Sequence, residues 1–96
     1  MRRNKTQSID ELVKAYLKSM GIDEKMQEVK LQRMWPEIVG TTIAGKTREL
    51  RLHKGVLFIY LNSSVVRNEL HMIRDPLTKR INEQFEEKLI YEIVVR

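Results

Sequence analysis

The sequence predicts an α+β fold in the order α-α-β-β-α-β, a three-stranded sheet with helices packed on one face. Three observations carry that expectation. Apolar residues recur at helical spacing through the first forty positions. The period then switches to alternation on either side of Lys54-Gly55. It returns to helical spacing after Ser63, ahead of a last apolar run over Leu89–Val95. Helices and strands grouped in this way do not build a doubly wound parallel sheet.

Each element has its own signals. Residues 1–7 read as a flexible basic lead, and residues 8–96 as a single domain. Ser8 and Glu11 make a capping box, followed by Ile9, Leu12, Val13, Tyr16, Leu17 and Met20 at helical spacing, with Gly21 to end the helix. Asp23 is placed to cap a second helix carrying Met26, Val29, Leu31, Met34 and Trp35, which Pro36 should kink or restart. A short helical turn through Ile38, Val39 and Ile43 is expected next. Glu49–His53 and Val56–Leu61 then read as a hairpin, with glycine supplying the positive φ of its turn. Ser63 or Ser64 should cap a third helix with Val65, Val66, Leu70, Ile73, Leu77 and Ile81 on its buried side and a kink at Pro76. A strand over Leu89–Val95 closes the sheet.

Ninety-six residues support one core, and 42% hydrophobic against 32% charged content is ordinary for a globular chain. With no cysteine there is no disulfide framework and no thiolate metal site. The basic start lacks a following apolar segment, and no apolar run approaches the ~20 residues of a membrane span, so a cytoplasmic protein without membrane contact is expected. The charge is +5, and all the excess lies early: residues 1–55 hold twelve basic and seven acidic side chains, residues 56–96 six of each. Such a segment attracts polyanions, although scattered surface charge that only maintains solubility gives the same count.

One match to a nucleotide-binding pattern stands out. Gly40-Thr41-Thr42-Ile43-Ala44-Gly45-Lys46-Thr47 fits G-x-x-x-x-G-K-[ST]. A working phosphate loop leads from a strand into a helix, whereas the residues from Thr47 onward alternate and enter a hairpin. Neither later apolar run ends in the aspartate that would hold magnesium, so the match reads as coincidence and no cofactor is expected. His53 and His71 have no companions at ligand spacing, which points to surface positions rather than a metal site. Helix capping accounts for Ser63 and Ser64, Trp35 reads as a core anchor, and no catalytic constellation emerges; the chain is expected not to be an enzyme.

The candidate binding residues gather at and around the first strand. Lys46, Arg48, Arg51 and Lys54 make a phosphate track, with Arg51 and His53 on the face opposite Leu50 and Leu52. If Leu57, Ile59 and Leu61 face the helices, then Val56, Phe58 and Tyr60 face away, and Phe58 and Tyr60 are placed to stack on unpaired bases. The same rings would equally serve to pack against Ile90 and Val94, or against a second copy of the chain.

Trp35 with Val39-Gly40, then Thr47, Gly55-x-Leu57, Ser63-Ser64, Glu69-Leu70 and Asn82, resembles the DciA-like family of bacterial proteins over roughly residues 8–96. That resemblance implies a KH-like domain that binds single-stranded DNA or RNA and helps load the DnaB-type replicative helicase. The G-x-x-G loop with which KH domains clamp a backbone is absent, which moves the expected contact to another surface. Many members also carry a flexible extension beside the folded domain; this sequence ends with its final strand. The alternative function is a protein-interaction or weakly self-associating domain that buries Val56, Phe58, Tyr60 and Val94 against a partner without nucleic acid.

Overall fold

A computed structural model describes residues 11–13, 15 and 22–96. Residues 11–13 and 15 are helical, with Leu12 and Val13 exposed; the rest of the expected first helix, its Ser8 cap and its Gly21 terminus fall outside the described residues. The elements that follow are helices α1 (Ile22–Val39) and α2 (Thr41–Gly45), strands β1 (Thr47–His53) and β2 (Val56–Leu61), helices α3 (Ser64–Met72) and α4 (Arg74–Asn82), and strand β3 (Glu92–Val95). The fold is α+β, and its sheet has the order β1-β2-β3, antiparallel between β1 and β2 and parallel between β2 and β3.

The hairpin is set by its turn. His53 pairs with Val56 around a two-residue loop, and Lys54 and Gly55 both adopt positive φ, 48° and 81°. Two such residues make the mirror-image turn whose twist matches that of the strands. A Cβ on Gly55 would also come within 2.6 Å of the Tyr91 ring. Alternation then sorts the faces. Leu50 and Leu52 of β1, Leu57, Ile59 and Leu61 of β2, and Ile93 and Val95 of β3 are buried against Leu31, Trp35 and Ile38 of α1, Val66 and Leu70 of α3, and Leu77 and Ile81 of α4. Helices α1, α3 and α4 therefore lie on one side of the sheet.

Several expectations need correction. Helix α1 runs through Pro36 without restarting, and ends at Gly40, whose φ of 92° stops it. Its buried stripe is Glu28, Leu31, Trp35 and Ile38, at helical spacing; Met26 and Val29 lie off that stripe and are exposed. The expected single third helix is two helices, broken at Ile73 rather than kinked at Pro76. Pro76 instead occupies the first turn of α4, where an absent amide leaves no bond unmade. Val65 and Ile73 are exposed as a result of where the two helices face. Ser63 is the cap, its hydroxyl accepting from the Val66 amide at 3.2 Å. Strand β1 begins earlier than expected, at Thr47, with an irregularity between Thr47 and Glu49. The last strand begins later, because Asn82 holds Leu89 and Ile90 out of the ladder: its Oδ1 accepts from both amides at 2.9 Å, and its Nδ2 donates to the Ile90 carbonyl at 2.8 Å.

β1 is an edge strand, and side chains of α1 close its outer edge. Gln32 donates to the Leu50 carbonyl at 3.4 Å, the Leu52 amide donates to Glu28 at 2.8 Å, and the Lys54 amide donates to Glu24 at 2.6 Å. These three acceptors and donors sit four residues apart on one helix stripe, where they stand in for a missing strand. Glu28 is buried, and burial by itself pushes its carboxylate up. The hydrogen bonds from Lys25 and the Leu52 amide, with the positive charges of Lys25 and Arg51, outweigh burial and hold it below the usual value.

A carboxylate lowered on folding adds stability that is complete above its ordinary value near 4.5 and is lost as pH falls through the native value. Glu28→Ala should therefore lower stability at neutral pH by about 2–3 kcal/mol, since it leaves a buried amide without a charged acceptor. Denaturant unfolding at a series of pH values checks this: the gap between parent and Glu28→Gln should narrow as the solution is acidified below that range.

Candidate nucleic-acid interface

The outward face of the sheet carries Arg51, Phe58 and Tyr60 of the predicted residues. β-alternation sends Glu49, Arg51 and His53 of β1, Val56, Phe58 and Tyr60 of β2, and Glu92 and Val94 of β3 outward, while their neighbours enter the core. Arg51 stands opposite Phe58 and Glu49 opposite Tyr60 in the β1–β2 register, and Val94 lies beside Phe58 on the other side. Phe58 and Tyr60 are half-buried at the centre of this surface.

Both rings are covered by a cation. The Arg48 guanidinium lies 5.7 Å from the centre of the Tyr60 ring, and that of Arg96 lies 5.6 Å from the centre of Phe58. At that range a guanidinium is attracted to the π face. Arg48 reaches Tyr60 because it occupies the irregular position between Thr47 and Glu49, where the ladder shifts. Arg96 continues β3: its amide donates to the Ile59 carbonyl at 2.8 Å, and its own carbonyl accepts from Leu61 at 3.3 Å.

The six residues singled out from sequence do not form one compact cluster. Arg48, Arg51, Phe58 and Tyr60 come together, whereas Lys46 and Lys54 flank β1 at opposite ends, roughly 25 Å apart along an extended chain. Nor are the cations equivalent. Arg51 is hydrogen-bonded and ion-paired to Glu49, and that bond, with the charge of Glu49, holds its guanidinium more firmly protonated. His53 lies 4.0 Å from Glu24, which also receives the Lys54 amide. Among the described residues no acid forms an ion pair with the side chains of Lys46, Arg48, Lys54 or Arg96.

Sequence reasoning missed Arg96, and missed Glu49 and Glu92 as acids on the same face. The signal for all three was present, since alternation along the last strand puts Glu92 and Arg96 on the side of Val94, and alternation along β1 puts Glu49 on the side of Arg51.

The nucleotide-like match at Gly40–Thr47 folds into something else. Thr41–Gly45 is a one-turn helix that precedes the strand instead of following it. The Thr47 hydroxyl accepts from Trp35 Nε1 at 2.9 Å and donates to the Ile43 carbonyl at 2.8 Å, so it ties α1, α2 and β1 together. Among the described residues no three His, Asp or Glu side chains gather as a metal site would require. No helix among them is long and apolar enough to cross a membrane. An apolar pocket of about 240 Å³ lies among the helices, lined by Ile38, Val39, Ile43, Ile73, Pro76, Leu77 and Arg80. Its one charged side chain, Arg80, donates to the Ile38 carbonyl at 2.9 Å.

A comparison with protein families matches residues 8–95 to the family described as Dna[CI] antecedent, DciA, which covers nearly the whole chain. No curated protein matches the chain.

Because the Thr47 hydroxyl is used twice within the fold, Thr47→Val should lower stability by about 1–2 kcal/mol in denaturant unfolding. ATP with magnesium should leave the melting temperature of the parent unchanged, since only a ligand that binds the native state raises it.

Proposed function

Because the chain belongs to the DciA family, bacterial proteins that act in loading the DnaB-type replicative helicase, we propose that it is a non-enzymatic, KH-like module that holds single-stranded nucleic acid on the open face of its sheet during that loading. The observation that carries this reading is the pair of rings, Phe58 and Tyr60, on consecutive outward positions of β2 with a guanidinium over each. Neighbouring π faces suit unpaired bases, which stack on aromatic side chains; bases inside a duplex are already stacked on each other. Arginine adds a planar cation that stacks on a base or pairs with a phosphate.

The roles divide by position. Phe58 and Tyr60 take the bases, and Arg48 and Arg96 close over them or turn to the adjoining phosphates. Lys46 and Lys54 extend the track to both ends of β1. Arg51 contributes less than its place suggests, because Glu49 already neutralises it. The charged side chains Arg48, Glu49, Arg51, Glu92 and Arg96 interrupt the apolar surface around the rings, which favours a polyanion over an apolar protein partner on this face.

Fluorescence anisotropy with a labelled oligonucleotide at several salt concentrations tests the reading. Arg48, Arg51 and Lys54 changed together to Gln should weaken binding to all sequences alike and reduce the salt slope by about 1–2, since each neutralised phosphate on a single strand contributes ~0.7. All three side chains are exposed, so stability should barely move. Phe58→Ala or Tyr60→Ala should lower affinity by about 1–3 kcal/mol with little change in slope. Glu49→Gln should strengthen binding by releasing Arg51. A folded triple variant that binds as well as the parent would contradict the track, and Arg2, Arg3 and Lys5 would then be the cations to change.

A further inference from the structure

The two edges of the sheet are finished differently. Gln32, Glu28 and Glu24 seal β1, as described above. On β3, the Arg96 amide bonds to the Ile59 carbonyl, so alternation turns the backbone groups of Val94 and Arg96 toward β2 and those of Ile93 and Val95 outward. Among the described residues nothing is hydrogen-bonded to those outward groups. The strand has neither the proline nor the lysine that commonly protects an exposed edge.

We propose that this edge pairs with the same edge of a second copy of the chain, antiparallel about a two-fold axis through Val94. That register is selected by the residues. Ile93 falls opposite the partner's Val95, and both turn their amides and carbonyls outward, so every outward group in the two strands finds a mate. Val94 meets its own counterpart at a non-hydrogen-bonded position, where side chains approach most closely. Glu92 falls opposite the partner's Arg96, and symmetry repeats the pair. Shifting the register by two residues sets Val94 against the partner's Glu92 or Arg96 and loses both ion pairs. Shifting it by one turns the outward amides of one strand against residues whose amides face β2.

The axis runs perpendicular to the sheet, so the pairing makes one six-stranded sheet with both open faces on the same side. A four-residue strand buries far less than the ~1,200–2,000 Å² of a stable specific interface, so the association is weak. It gains strength wherever two copies are held close together. The pairing requires no nucleic acid, and it shares Arg96 with the open face, where that side chain lies over Phe58.

Sedimentation velocity of the whole chain up to millimolar concentration, without nucleic acid, provides the test. The parent should show reversible, concentration-dependent dimerisation. Glu92→Lys and Arg96→Glu alone each put like charges opposite one another at two symmetric sites and should weaken it about tenfold. An equimolar mixture of these two variants should associate more tightly than either alone, since every facing pair is again of opposite charge. The doubly exchanged chain, Glu92→Lys with Arg96→Glu, should recover the parent's behaviour. Circular dichroism establishes that each variant is folded. A parent that stays monomeric throughout, or a mixture no tighter than its components, would overturn the proposal. So would a dimer that ignores these charges and is lost in Phe58→Ala, because it would use the open face.

Discussion

The hydrogen bond from the Leu52 amide to the buried carboxylate of Glu28 fixes how the rest of the chain is arranged. An edge strand presents unpaired backbone groups, and a helix can satisfy them only by lying along that edge with suitable side chains four residues apart. Glu24, Glu28 and Gln32 meet that condition. The same turn of α1 drives Leu31, Trp35 and Ile38 into the core, and Trp35 reaches the Thr47 hydroxyl at the start of β1. Helix and hairpin are locked in register by both polar and apolar contacts on one side of the sheet.

Among the described residues that arrangement leaves the opposite side of the sheet without a covering element, and two aromatic rings and several charges coexist there. Arg48 and Arg96 shield Tyr60 and Phe58 from water without removing them from reach, since a guanidinium over a ring is held by a modest attraction that a base can replace. Glu49 and Glu92 temper the positive charge of Arg48, Arg51 and Arg96, so the surface carries both signs and is not uniformly basic. The residues that would read a nucleic acid are thus the outward half of the same alternation whose inward half makes the core.

The sequence made the strands and their faces legible because alternation is a local property: Val56–Leu61 has the expected bounds, and each of its inward and outward residues lies where the period puts it. The glycine turn and the Ser63 cap were legible for the same reason, being set by φ or by one hydroxyl. What escaped notice depends on distant partners. Glu28 reads as one more charged residue on a helix until β1 is laid against it, twenty-four positions later. The break at Ile73 escaped notice because Pro76 is the louder signal, although proline fits comfortably in a first helical turn. The late start of β3 follows from Asn82, whose side chain captures Leu89 and Ile90 across the intervening loop. In the site, Phe58 and Tyr60 were placed by period alone, while the neutralisation of Arg51 by Glu49 and the cover of Phe58 by Arg96 required the register between strands.

Titrating an isotopically labelled chain with a short unpaired oligonucleotide, and following every backbone amide by NMR, tests most directly whether this face carries nucleic acid. The largest shifts should fall on Arg48, Phe58, Tyr60 and Arg96, spread along β1 toward Lys54, and leave Leu77 and Ile81 of α4 unmoved. Shifts concentrated on α3 and α4, with the open face silent, would contradict it.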